Sequence, residues 1–136
     1  MKTEKLFSVL SSIHPVSTSF RQAVEKVITP LSLPNYFMLL EATKIAECAY
    51  FLDEGFARSY TFVKGKKQVE WFWRTGEIMV STKSFFEQVP SQEFIQLRNH
   101  SELFCVTHNS VLQLFQTFPE AHFIYRVIMN QYYEHS

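Results

Sequence analysis

The sequence predicts a mainly β domain, an antiparallel roll or jelly roll with helices at both ends. Three observations carry this. From Asn35 to Thr107 the chain reads as short strands separated by turn signals. Within that run only Ser81–Gln92 has helical character. No strand is followed by a crossover of βαβ length, so the strands are expected to pair antiparallel.

Each element has its own local reason. Ser17-Thr18-Ser19 can cap a helix spanning residues 17–29, with Phe20, Val24, Val27 and Ile28 at helical spacing. Pro30 and Pro34 end it. The roll, residues 35–107, opens with strands at Tyr36–Glu41 and Cys48–Asp53, the second closing at Glu54-Gly55. Phe56–Val63 and Gln68–Arg74 read as a hairpin around Lys64-Gly65-Lys66. Trp71 and Trp73 fall on one face and Phe72 on the other, so that strand is expected to be covered on both sides. Glu77–Val80 is a further short strand.

The insert, residues 81–92, opens with hydroxyls at Ser81, Thr82 and Ser84 and closes near Pro90. Glu93–Arg98 and Glu102–Thr107 are expected to form a hairpin around Asn99-His100-Ser101. The period then turns helical over residues 109–134. Val111, Leu112, Leu114, Phe115 and Phe118 mark one helix, and Pro119 opens a second, Glu120–Glu134.

Composition narrows the function classes. The chain has 136 residues, 46% of them hydrophobic, which supports one domain with a real core. Lys+Arg and Asp+Glu both number 13, so no field draws nucleic acid. No direct nucleic-acid contact by this chain is expected. The 14 Phe residues are read mainly as core. Cys48 and Cys105 are far apart and in no metal spacing, as two buried thiols of a cytoplasmic protein would be. Residues 1–10 only faintly imitate a secretion signal, and no run is long enough to span a membrane. The Asn99-His100-Ser101 sequon is read as chance.

Catalytic and metal motifs do not appear. His14, His100, His108, His122 and His135 stand apart, without the His-x-His pair of a cupin-like metalloenzyme. There is no Gly-x-Ser-x-Gly, Walker or GxGxxG pattern, so no enzyme activity, no metal and no cofactor are expected. A hydroxyl-rich turn before a helix can instead hold a small anion, or it can merely cap the helix. Arg58 alternates with Phe56, Tyr60 and Phe62 on one strand face, where it either stacks at the surface or points into a cavity.

In this order the pieces resemble the cyclic-nucleotide-binding domain of Crp/Fnr-type transcription regulators, over residues from about Ile28 to Glu134. Ala49-Tyr50-Phe51-Leu52-Asp53-Glu54-Gly55-Phe56-Ala57-Arg58 resembles the family's "yfi-x-x-G-x-x-R" turn. Gly65-Lys66-Lys67, Thr75-Gly76-Glu77 and Leu112–Pro119 resemble its "G-K-E" hairpin, its "x-G-D/E" turn and its "L-x-x-L-x-x-x-x-P" helix. The resemblance implies a double-stranded β-helix (RmlC-like jelly roll) and a regulatory, cytoplasmic, non-enzymatic sensing role.

Family members hold the ribose with a Gly-Glu and the cyclic phosphate with an Arg. Counted from Gly76, those positions here are Val80 and Ser81, then Ser91 and Gln92. Each lost charge-assisted contact removes about 1.5–3 kcal/mol, or tenfold and more in affinity. The cassette is therefore degenerate. The expected effector is a small anion other than a cyclic nucleotide, or none. The residues anticipated to touch it are Ser81, Thr82, Ser84, Ser91, Gln92 and Arg58. The last helix pairs protomers in the family, so Ile124, Val127, Ile128 and Tyr132 are expected as a homodimer seam. The residues after Phe118 accommodate one helix and no DNA reader. The alternatives are a cupin-like metalloenzyme and a structural interaction module without a ligand.

Overall fold

The computed structural model describes residues 2–134, with side chains through Tyr132. In chain order the elements are α1 (Glu4–Ile13), α2 (Thr18–Val27), β1 (Thr29–Leu33), β2 (Met38–Leu40), β3 (Cys48–Glu54), β4 (Phe56–Val63), β5 (Lys66–Arg74), β6 (Ile78–Met79), α3 (Thr82–Glu87), β7 (Phe94–Leu97), β8 (Ser101–Thr107), α4 (His108–Thr117) and α5 (Pro119–Glu134). Two four-stranded antiparallel sheets form the jelly roll, ordered β1-β8-β3-β6 and β2-β7-β4-β5.

The two sheets share one bent ribbon. β3 pairs with β8 in the first sheet, and their continuations β4 and β7 pair in the second. The ribbon bends where Gly55 passes Ser101, which is fully buried. A side chain on Gly55 would collide with the Ser101 hydroxyl and come within 2.6 Å of its Cβ. Gly55 also carries a φ of 154°, where residues with side chains are rare. Glycine is required here on both counts.

This geometry corrects the expected hairpin between Glu93–Arg98 and Glu102–Thr107. The two strands are consecutive but lie in different sheets, because the Asn99-His100 connection crosses the bend. The hairpin around Lys64-Gly65 does form as expected. Both residues have positive φ, and Val63 faces Lys66 across a two-residue turn. Trp73 is buried while Phe72 stays 47% exposed, so β5 is covered on one face and not on both.

Two segments carry structure that their sequence hid. Residues 4–13 form α1, whose Leu6, Phe7 and Leu10 are buried. Thr29–Leu33 is a strand despite Pro30. β1 lies at a sheet edge, where a missing backbone N–H costs little. The expected cap at Ser17 holds, accepting from the Phe20 N–H, and Thr107 caps α4 by accepting from the Ser110 N–H.

The core has two parts. Leu52, Trp73, Met79, Phe85, Leu97 and Leu103 fill the roll between the sheets. On the outer face of the first sheet, Phe51 and Phe104 meet Leu10, Phe20, Val24 and Ile124 from the helices. Each such side chain contributes about 1.5–3 kcal/mol by leaving water.

Gly55→Ala should destabilise the fold by about 1–3 kcal/mol through overpacking, read as a lower urea midpoint. Adding Ser101→Gly should recover part of the loss. An unchanged midpoint in the single variant would refute the close approach at the bend.

Candidate functional site

Between the roll and the segment from Ser81 to Glu93 lies an open cleft of about 770 Å³. Five of the six anticipated ligand residues line it: Ser81, Thr82, Ser84, Ser91 and Gln92. Their surroundings differ from a simple donor-rich cradle. α3 has six residues and so a short dipole, and the Ser81 side chain does not cap it.

Two of the hydroxyls hold the loop itself. The Ser84 hydroxyl accepts from the Ala46 N–H and donates to the Val89 carbonyl, at 2.8 and 2.7 Å. The Ser91 hydroxyl donates to the Glu93 carbonyl and accepts from the Glu93 N–H. Backbone bonds from Thr43 and to Lys44 then pin Ser91 against the neighbouring loop. Thr82 is half-buried and Gln92 is exposed.

Arg58 is not part of the cleft lining. Ala57 and Ser59 point into the roll, so Arg58 projects outward beside Phe72. Its guanidinium lies 5.3 Å from the centre of the buried Tyr60 ring, a stacking contact that leaves Arg58 half-buried.

The residue that sequence reasoning missed is Glu93. It immediately precedes β7, half-buried and in alternation with the inward Ile95 and Leu97, which are 2% and 0% exposed. That alternation was the signal that could have placed a carboxylate inside. Burial raises the Glu93 pKa above its ordinary 4.5, while the neighbouring Ser81 and Ser59 hydroxyls work against the rise. Glu70 raises it further and lines the same cleft, where it accepts a hydrogen bond from Thr61. Glu87 and Lys83 complete the charged lining. Three carboxylates against one ammonium disfavour an anion, which would add a like charge beside a partly desolvated one.

α5 is attached to the roll through Tyr132. Its hydroxyl accepts from Trp73 Nε1 at 2.8 Å and donates to the Ile78 carbonyl at 2.9 Å. Burial pushes the Tyr132 pKa up to about 12, so the hydroxyl stays neutral and able to donate. Ile124 is buried and Ile128 packs with the helical core. The expected seam of Ile124, Val127, Ile128 and Tyr132 therefore needs correction: three of the four pack on their own chain, and Val127 alone faces out, 39% exposed.

Among the described residues, no cluster of His, Cys, Asp or Glu has the arrangement of a metal site. His14 stacks on Phe123, His108 meets Phe85 edge-on and His122 stacks on Phe115. His100 pairs with Glu102, and His135 lies outside the described residues. Cys48 and Cys105 are free thiols. Burial and the neighbouring Cys105 push the Cys48 thiol up to about 11, which keeps it protonated and unreactive at neutral pH.

No protein-family model matches the chain, and no curated protein matches it by sequence. Solved structures do match in fold. A cyclic nucleotide-binding domain from Methylobacillus flagellatus KT superposes with a TM-score of 0.85 at 11% identity, over 96% of this chain and 78% of that one. The sensor domain of the transcriptional regulator DNR from Pseudomonas aeruginosa gives 0.77 at 16% identity, over 95% and 86%. The Thermus thermophilus catabolite activator protein gives 0.77 at 14% identity, over 93% of this chain and 59% of its own length. The chain thus spans little more than half of that last protein. These likenesses establish the cyclic-nucleotide-binding type of jelly roll.

The raised Glu93 pKa has a definite sign for stability. The folded protein holds the proton more tightly than the unfolded one. Stability should therefore fall as pH rises from 4.5 through the raised value. Glu93→Gln should flatten that slope and leave the protein more stable at neutral pH, measured as urea midpoints across the range. Identical slopes in both proteins would show that Glu93 is not the group responsible.

Proposed function

We propose that this chain is a regulatory ligand-sensing domain of the Crp/Fnr-like kind, with its effector site in the cleft beside α3. One observation carries the reading. The five residues anticipated from the two ends of the one insert line a single cleft, on a fold whose solved examples include a sensor domain and a cyclic nucleotide-binding domain. In this reading the effector is not a cyclic nucleotide. The two positions where the family carries its Glu and Arg are Ser81 and Ser91 here, and Arg58 faces away from the cleft.

The charge of the cleft refines the expected effector. Glu70, Glu87 and Glu93 around Lys83 favour a neutral or cationic molecule over the anion that the hydroxyl-rich turn implies. Ser81, Thr82 and Gln92 would orient it by hydrogen bonds. The output would be the packing of α5, since Tyr132 ties that helix to both sheets at once. A homodimer through α5 would use the outward Phe123 and Val127, which are 49% and 39% exposed.

The regulatory reading fits the scattered histidines better than a cupin-like metalloenzyme does. No helix among the described residues is long and apolar enough to cross a membrane.

A thermal-shift panel separates the effector classes. It would set cAMP, cGMP and cyclic di-GMP against uncharged polyols and diamines such as putrescine. A ligand at about 100 times its dissociation constant adds about 2.7 kcal/mol, a shift of several degrees. The cyclic nucleotides should give none. A diamine or polyol shift that disappears in Glu93→Gln would support the site. A clear shift with cAMP would overturn the charge argument, and silence across the panel would favour a module that assembles without an effector.

Tyr132→Phe leaves Trp73 Nε1–H and the Ile78 carbonyl without their partner. It should cost about 1–3 kcal/mol in urea unfolding. A loss within error of zero would remove Tyr132 as the link between α5 and the roll.

A further inference from the structure

We propose that the helical layer and the first sheet form a second site, for a small uncharged apolar molecule the size of one aromatic ring or a short hydrocarbon. Between the outer face of the first sheet and the helices lies a cavity of about 170 Å³. Leu10 of α1, Val24 of α2, Phe104 of β8, Val111 of α4, and Ala121 and Ile124 of α5 are among its walls. The lining is almost wholly carbon.

Size and chemistry together define the guest. Protein interiors hold few voids larger than a water molecule, and atoms around a void lose their dispersion partners. An apolar cavity of about 150 Å³ lined by Leu, Ile and Phe stays dry and accepts benzene or xenon. The pocket here has about that volume and that lining, and it is partly open, so a guest can enter. Water gains nothing in it, because a buried water needs two to four polar partners. Tyr50, one of the lining residues with a polar atom, is held neutral by burial, which raises its pKa.

The position of the cavity gives its occupancy a consequence. α4 and α5 close it on one side, and α4 contributes no fully buried residue. A guest would add contacts between these helices and the sheet, favouring the arrangement in which they are packed down. α3 is the wall shared with the polar cleft. Its Phe85 and Phe86 line the apolar cavity, and its Thr82, Lys83, Ser84 and Glu87 line the cleft. The two sites are chemically opposite and meet across one helix.

Benzene titrated into the full chain, followed through the Leu, Val and Ile methyl resonances, tests this, with xenon-pressurised crystals to locate the site. Saturable shifts should centre on Leu10, Val24, Val111 and Ile124, and xenon should sit among them. Ala121→Leu, whose added carbons occupy the cavity, should weaken benzene binding at least tenfold. If that variant does not fold, Val111→Phe at a half-buried position carries the same expectation. Shifts that never saturate in the wild type, or unchanged benzene affinity in a folded filled variant, would overturn the proposal.

Discussion

The fold depends on the close passage of Gly55 and Ser101. Strands β3 and β4 are one stretch of chain, as are β7 and β8, and the two stretches pair on both sides of the bend, from Cys48 to Tyr60. Bending that ribbon in one place assigns four strands to two sheets at once. The bend is possible because one residue has no side chain and the residue it meets is small and fully buried. The inward faces of both sheets, and with them the core of Leu52, Leu97 and Leu103, follow from that single contact.

The same bend positions the candidate site. Because β7 enters the second sheet, Glu93 immediately before it lies at the cleft beside α3. A half-buried carboxylate there is partly desolvated, beside the hydroxyls of Ser81 and Ser59. A site arranged in this way attracts positive charge or hydrogen-bond donors and repels phosphate. No arginine is among the residues that line the cleft, and the half-buried Glu93 acts in the same direction.

The helical layer is joined to the roll unevenly. α5 carries a buried Ile124 and a doubly hydrogen-bonded Tyr132, whereas α4 is partly exposed throughout and roofs a carbon-lined void. An element held firmly at its far end and loosely near its start can shift about the firm attachment at low cost. In a sensing domain such a layer is suited to carry a change out of the roll. Phe123 and Val127 face outward on α5, where a partner surface would read it.

The class of fold, the β4–β5 hairpin, the cap at Ser17 and the place of the insert were legible in the sequence. All of these rest on local chemistry: alternation, turn residues and side chains that bond the nearest backbone. The sequence also picked out five cleft residues, since the turn and insert that hold them are contiguous. It hid α1, whose apolar face looks like any short apolar run until it meets the sheet, and β1, whose Pro30 is tolerated only at an edge. The β7–β8 crossing, the outward Arg58 and the inward Tyr132 were decided by tertiary structure. Consecutive strands look the same whether they pair with each other or with distant ones. A side chain's face has meaning only once something covers it. Glu93 shows both sides of this: its alternation with Ile95 and Leu97 was legible, but its cost and its chemistry arise only from burial.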